Sequence, residues 1–274
     1  MLSHKKIAVV GAGHIGGALI GGMLRAKLTA SKNIKASRRS KTALAVLKKD
    51  WGINVTTANK AAVRGADIVI LAVKPQVSPA VITELAAVIR PEQLIISLMA
   101  GITAKTIGQK LGQPCPVVRA MPNTPCLVDA GATAIAAGVH AGANDLAIAE
   151  RIFSSVGMVV TLPESAMDAV TGLSGTGPVY IFMVIEAMID GGVKMGIPRS
   201  VATILATQTV LGAAKLVQET GKHPAILKDE VTTPGGTAIN AIHVLEAKGL
   251  RSVLIDAIMT ATQRSQELSR LYGD

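Results

Sequence analysis

The chain has 274 residues, 49% of them hydrophobic but only 2% aromatic, and a formal charge of +10. Packing must therefore rest on Ala, Val, Ile, Leu and Met, which favours α/β or helical layers over an all-β sandwich. The basic residues are scattered rather than run together and few rings are available to stack on bases, which argues against nucleic acid, while two cysteines, Cys115 and Cys126, make neither a disulfide framework nor a zinc site and point to a reducing compartment.

Residues 6–10 are short, apolar and β-branched and stop at Gly11, the pattern of a buried strand. Residues 15–26 follow as a helix, with Ile15, Leu19 and Met23 at i, i+4 and i+8. The uncharged stretch from Ile7 to Leu24, preceded by Lys5 and Lys6, has the outline of a signal anchor. Its six glycines have a better explanation in the motif they form. Residues 33–37 read as a second strand, 42–49 as a helix and 54–56 as a short third strand. Residues 66–73 (ADIVILAV) are a strong buried strand that the Lys74-Pro75 pair ends. A helix is expected over 78–89 and a strand over 93–98, with later strands over 117–120, 133–136 and 158–161. Apolar strands alternating with helices imply a parallel, doubly wound sheet.

The texture changes near Pro163. No strand is expected beyond it, and residues 180–195, 199–220 and 250–271 carry helical spacing. Glu186 and Asp190 interrupt the apolar stretches, so a soluble, cytoplasmic protein without a membrane span is expected. The sequence divides into an α/β domain over 1–163 and an all-α domain over 164–274. Several apolar helical faces without a sheet of their own imply an intimate subunit interface.

Gly11-Ala12-Gly13-His14-Ile15-Gly16 is a GxGxxG pattern between an expected strand and an expected helix, the context that gives it meaning. Gly11 permits the tight turn, Gly13 lets the backbone approach a pyrophosphate, and Gly16 lets the helix pack on the strand. Dinucleotide sites of the NAD type place an acid at the end of the second strand for the ribose 2′-hydroxyl. This chain has Ser37-Arg38-Arg39-Ser40 there. Arg pairs with a 2′-phosphate that an acid would repel, so NADPH is expected as cofactor, with NADH the weaker alternative. Two further strand ends face the same crevice. Lys74 is placed to reach a ribose or phosphate, and Ala100 and Gly101 are small enough for a nicotinamide to lie against backbone.

No HExxH, CxxC or nucleophile-elbow motif occurs, and none of His4, His14, His140, His223 and His243 has a metal partner at helical spacing, so no metal is expected. The helical half carries two glycine-rich segments, 172–178 (GLSGTGP) and 231–238 (VTTPGGTA). Each reads equally as an anion-binding nest of backbone N–H groups or as ordinary helix capping. A helix starting just after Gly236 would suit a carboxylate.

These segments, with VVGAGHIGGAL, AVKPQ, RAMPNTP, DAVTGLSGTGPVY, DGGVKMG and LKDEVTTPGGTAINAIHVLE, resemble the pyrroline-5-carboxylate reductase family almost end to end. The resemblance implies hydride reduction of the cyclic imine 1-pyrroline-5-carboxylate to L-proline, the last step of proline biosynthesis. It implies a Rossmann domain followed by a helical dimerisation domain, and a homodimer that associates further, up to a decamer. Carried over, the cofactor residues are Gly11, Ala12, Gly13, His14, Ile15, Gly16, Ser37, Arg38, Asn59, Ala72, Val73, Lys74, Pro75 and Ala100, with Met121, Pro122 and Asn123 bordering the nicotinamide. The substrate residues are Glu164, Ser174, Thr233, Gly235, Gly236, Thr237 and Ala238. One position departs from the family, which usually has Thr two residues after the Gly-Gly pair, where its hydroxyl reaches the imine nitrogen. Here that residue is Ala238, and Thr237, Thr233 or a water stands in as the catalytic group. Two other readings stay open: a hydroxyacid reductase using Lys194 as proton donor, and a dinucleotide-binding sensor without turnover.

Overall fold

A computed structural model describes residues 2–273. Eight strands form one sheet: β1 (Ile7–Val10), β2 (Ile34–Ser37), β3 (Asn54–Thr56), β4 (Ile68–Leu71), β5 (Leu94–Ser97), β6 (Val117–Met121), β7 (Gly131–Ala137) and β8 (Gly157–Thr161). Their order across the sheet is 3-2-1-4-5-6-7-8. Every residue of β1, β4, β5 and β6 is buried, as strands covered on both faces must be. The edge strands β3 and β8 keep exposed residues.

Strands β1 to β6 are parallel, but β7 runs antiparallel to β6, and β8 follows β7. The expected doubly wound parallel sheet thus holds except at this edge, where one pairing is antiparallel. The cause is the connection: residues 122–130 hold a short 3-10 helical turn and no crossover helix, and a parallel return needs a dozen residues or more.

Six helices cover the two faces: α1 (His14–Arg25), α2 (Lys41–Trp51), α3 (Asn59–Val63), α4 (Ser78–Ala86), α5 (Ala104–Leu111) and α6 (Ala143–Phe153). Leu19, Ile20 and Met23 of α1 join Ile152 and Phe153 of α6 in one core cluster. Val63, Ile82, Leu85 and Ile107 from α3, α4 and α5 form the core on the opposite face. Apolar spacing did not reveal α3, α5 or α6. Capping marks α5: the Thr103 hydroxyl accepts from the Thr106 N–H, and Gly112 closes the helix in left-handed backbone. At α6 the Asp145 carboxylate accepts from the Gly142 N–H.

The remaining helices are α7 (Met167–Val170), α8 (Gly177–Lys194), α9 (Arg199–Thr220), α10 (Pro224–Glu230), α11 (Thr237–Ala247) and α12 (Leu250–Gly273). The chain forms two compact units, one reaching Thr176 and resuming at Ile258, the other Gly177–Ala257. The change of texture at residue 163 does not coincide with either boundary. Packing explains the difference. Met167 and Val170 close against Met121, Ala134 and Ala136, and the Asp168 carboxylate accepts from the hydroxyls of Ser265 at 2.6 Å and Ser269 at 3.3 Å. The end of α12 thereby returns to the sheet-bearing unit. The other unit has little interior of its own: among its described residues only Ala202 and Ala206 are fully buried. Phe182, Met183, Ile204 and Leu205 are more than half exposed.

Cys126 is enclosed in the first core cluster, and burial, with the nearby charge of Asp129, pushes its thiol up to about 11. A raised folded-state value means that the neutral thiol's contribution is complete below the ordinary thiol range and lost as pH rises through about 11. The stability advantage of the natural chain over Cys126→Ala should therefore shrink between about pH 9 and 11, measured by urea unfolding across that range. A constant advantage would show that Cys126 titrates normally.

Candidate functional site

The parallel strands change direction of winding between β1 and β4, and ligands of such sheets bind beyond the carboxyl ends at that point. Gly11 leaves β1 and Ala72 leaves β4 at this place. Gly11 has φ +84°, and a Cβ on it would lie 2.6 Å from Val73 Cγ1 and 2.9 Å from the Ala72 carbonyl oxygen. Only glycine fits there. The N–H groups of Gly11 and Ala12 both donate to the Ser37 carbonyl at 3.0 Å, and Gly13 donates to Gly11. These bonds tie the end of β1 to the end of β2 and leave the next three amides, those of His14, Ile15 and Gly16, at the head of α1. The first intrahelical bond there is from Gly17 to Gly13. No side chain caps the helix, so its N–H groups and positive dipole end face outward.

Gly13 differs from Gly11. Nothing but the Gly11 carbonyl, 3.8 Å away, approaches where its Cβ would be. The protein's own packing does not require glycine at this position, and the open space beside three free amides fits a pyrophosphate. The residues therefore suit a dinucleotide on geometric grounds.

The second-strand end refines the expected roles. The Ser37 hydroxyl is fully buried and donates to Asn59 Oδ1 at 2.8 Å, while Asn59 Nδ2 donates to Glu84 at 2.9 Å. Ser37 and Asn59 thus brace the turn from inside rather than presenting free donors. Arg38 is half-exposed, and its guanidinium reaches within 3.5 Å of the Ala12 carbonyl, over the glycine turn. Lys74 is exposed where β4 gives way to a 3-10 turn beginning at Pro75. Ala100 packs partly buried against the cluster of Met121, Met167 and Val170. Gly101 instead faces α12: a Cβ there would lie 3.1 Å from the Ser269 nitrogen, so its smallness serves packing rather than a ligand.

Met121 and Pro122 are buried, and the side chain of Asn123 is largely committed within the protein. Asn123 Oδ1 accepts from the Ala132 N–H at 2.9 Å, and Nδ2 donates to the Ser174 carbonyl at 3.1 Å. Ser174 donates its hydroxyl to Val170. Of the two readings of 172–178, the structure favours the helical one: Thr171–Gly175 is a π-helical turn, closed by the Thr176 N–H on the Thr171 carbonyl. Glu164 is likewise engaged. Its Oε1 accepts from the Ala104 N–H at 2.7 Å and from Arg119 at 3.3 Å. Arg119, with its side chain 7% exposed, is a buried cation that motif reading passed over. Its signal was a lone charge in the apolar strand VVRAM. The pair anchors the head of α5, just beyond Ala100, to β6.

In the other unit, residues 231–238 do form an open turn. Gly235 has φ +68°, Gly236 donates to the Thr233 carbonyl, and α11 begins at Thr237. No side chain caps α11, so the amides of Thr237, Ala238 and Ile239 stand free of side-chain partners. Thr233 and Thr237 are exposed and Ala238 is half-buried. Lys194 is exposed at the last position of α8.

Comparison with known proteins matches the two halves of the chain to two families. Residues 164–268 match the family described as pyrroline-5-carboxylate reductase dimerisation, and residues 6–101 match NADP oxidoreductase coenzyme F420-dependent. The chain is 47% identical to pyrroline-5-carboxylate reductase of Methanosarcina acetivorans, over 98% of this chain and all of that one. It is 44% identical to the Synechocystis enzyme over 97% of this chain and 98% of that one. Among solved structures, a pyrroline-5-carboxylate reductase from Coxiella burnetii superposes with a TM-score of 0.90 at 36% identity, covering 97% and 98% of the two chains. The Plasmodium falciparum pyrroline carboxylate reductase with NADP bound has a TM-score of 0.89 at 28% identity, covering 98% and 100%.

The contrast between the two glycines is testable. Gly13→Ala should leave the thermal midpoint unchanged and weaken binding of a nicotinamide dinucleotide at least tenfold, measured by fluorescence titration. Gly11→Ala should lower the midpoint itself, since the added methyl meets Val73 and needs a positive φ. Equal thermal losses in both variants would refute the assignment of Gly13 to a ligand.

Proposed function

The chain belongs to the pyrroline-5-carboxylate reductase family, and from that membership we infer that its glycine turn holds the dinucleotide while residues 233–238 receive the substrate carboxylate. The reaction is reduction of 1-pyrroline-5-carboxylate to L-proline with NADP as redox partner. The observation that carries the cofactor half is the set of three free amides beneath the open Gly13. The observation that supports the substrate half is the uncapped head of α11, where free N–H groups and a positive dipole end suit a carboxylate.

When bound, the nicotinamide would supply the hydride that reduces the imine carbon. The chain's own residues bind and orient. His14, Ile15 and Gly16 offer amides to the pyrophosphate, and Arg38, with no acid beside it on the strand end, takes a 2′-phosphate. This arrangement favours NADPH over NADH. Ala100 and Met121 wall the nicotinamide, and the Glu164–Arg119 pair holds that wall by fixing the head of α5. Glu164 and Ser174 brace the protein rather than act on the substrate, because their polar groups are engaged within it. A protonated imine is already electrophilic, so position and electrostatics suffice for hydride transfer. The nitrogen proton comes from solvent or from the hydroxyl of Thr237 or Thr233, because Ala238 has none.

Two helical stretches, Glu164–Lys194 and Arg199–Thr220, are long and apolar enough to cross a membrane. Their exposed apolar side chains are read instead as the surface a second subunit covers, in a homodimer through the helical domain that associates further, up to a decamer. Two free, buried thiols are in keeping with a cytoplasmic enzyme.

NADPH oxidation in the presence of pyrroline-5-carboxylate tests the reading directly, and folded protein that binds NADPH without turning over would end it. In that assay Arg38→Ala should raise KM for NADPH about tenfold or more, the loss of a charge-assisted hydrogen bond, while KM for NADH moves little. Equal changes would remove the 2′-phosphate role. Ala238→Thr should raise kcat and leave KM for NADPH unchanged. An unaltered kcat would show that a hydroxyl at this position does not limit the reaction.

A further inference from the structure

The amino ends of the strands, opposite the cofactor edge, hold a second feature that the reductase reading does not use. A recess of about 230 Å³ opens there between the start of β1, the start of β2 and the turn before β4. Four cations line it: Lys6, Lys32, Lys35 and Arg64. No carboxylate is among its lining residues. None of the four forms an ion pair among the described residues. Lys35 donates to the Ala61 carbonyl at 3.2 Å. The carboxylate just beyond the lining, Asp67, is already engaged, accepting from the Lys6 backbone N–H at 2.7 Å and lying 3.9 Å from the Lys5 ammonium.

Ionic groups of like sign around one concave surface repel each other and focus a positive potential into it. A solvated basic face would spread its charges over a convex surface or interleave acids, as the nine ion pairs among the described residues do elsewhere. The recess is smaller than the pockets that take drug-sized molecules, about 300 Å³ and upward. Its floor is apolar, with Ile7, Ala62 and Ala66, and offers no ring for a base to stack on. A compact multivalent anion fits this combination, and a single-stranded nucleic acid does not.

We propose that this recess is an anion site for a small phosphorylated ligand of the di- or triphosphate type, separate from the dinucleotide site. The two sites lie at opposite ends of the same strands, so both can be filled at once. The shared chemistry is a chain of two or three phosphates, free in solution or as the tail of a nucleotide.

Calorimetric titration of the full chain at near-physiological salt tests this, with the cofactor site first saturated by NADPH. Inorganic tripolyphosphate should bind with one equivalent per chain. Lys32→Glu with Arg64→Glu should weaken that binding at least tenfold while leaving KM for NADPH unchanged. A control pair with the same change in net charge, Lys105→Glu with Lys248→Glu, should bind as the natural chain does. A nucleoside triphosphate that binds no tighter than tripolyphosphate assigns the ligand to the phosphates alone, and one that binds more tightly assigns it to a nucleotide tail. Absence of binding once NADPH is present, or equal weakening in both pairs, would overturn the proposal. All substituted side chains are exposed, and an unchanged thermal midpoint separates lost binding from lost folding.

Discussion

The carbonyl oxygen of Ser37 takes two hydrogen bonds at once, from the N–H groups of Gly11 and Ala12. A carbonyl has two lone pairs, so both bonds can be good ones. The consequence is geometric. The chain leaving β1 must fold back against the end of β2, and it can do so only with Gly11 in positive φ beneath Val73 and Ala72. Once the first two amides are held there, the next three emerge together at the head of α1 with no partner in the helix. The cluster of unpaired amides at the head of α1 is therefore a by-product of satisfying the backbone at the strand ends. The same contact brings Arg38, the residue after Ser37, over the turn. Ser37 contributes through its carbonyl and its buried hydroxyl, not as a ligand in its own right.

That arrangement was largely legible in the sequence, because each part has a local signal. Glycines at fixed spacing between an apolar strand and an apolar helix specify a turn that needs positive φ and close approach. The central strands were visible because strands buried on both faces are continuous apolar runs. The second level of the site was not legible. Nothing in the spacing of Asn59, Glu84 and Ser37 announces that their side chains will meet, since 22 and 25 residues separate the bonded pairs. Likewise Glu164 is 60 residues from the Ala104 amide it caps and 45 from Arg119. Contacts of that separation depend on topology, and the topology departs from the regular pattern at β7. A composition that reads as strand does not state the direction of the strand. Direction follows from the length of the connection, which here is too short for a crossover.

The division into units was hidden for a related reason. The change from strands to helices occurs at residue 163, and that change is a property of local sequence. Compactness is a property of who packs on whom. Asp168 in α7 and Ser265 and Ser269 in α12 are about a hundred residues apart, yet their hydrogen bonds join both ends of the helical segment to the sheet-bearing unit. Gly101 serves the same junction, since any side chain there would displace the backbone of α12. A short residue that the sequence suggested for a ligand thus owes its size to packing.

What remains between these ends, Gly177–Ala257, poses an energetic question that its sequence answers. Two buried alanines are too little apolar burial to offset the conformational entropy of ordering some eighty residues, at roughly 1 to 2 kcal/mol each for the backbone alone. Its helices carry long runs of apolar residues that the unit itself leaves exposed, at a scale well beyond the scattered surface Leu or Val of a monomer. Such a unit is stable only against another surface. The match of this region to a dimerisation family supplies the kind of surface that the energetics require. If such a surface comes from a second copy, folding and association of this half become one equilibrium, and stability then depends on protein concentration. The head of α11 lies in this same unit, so the carboxylate anchor proposed there would draw its order from that same surface.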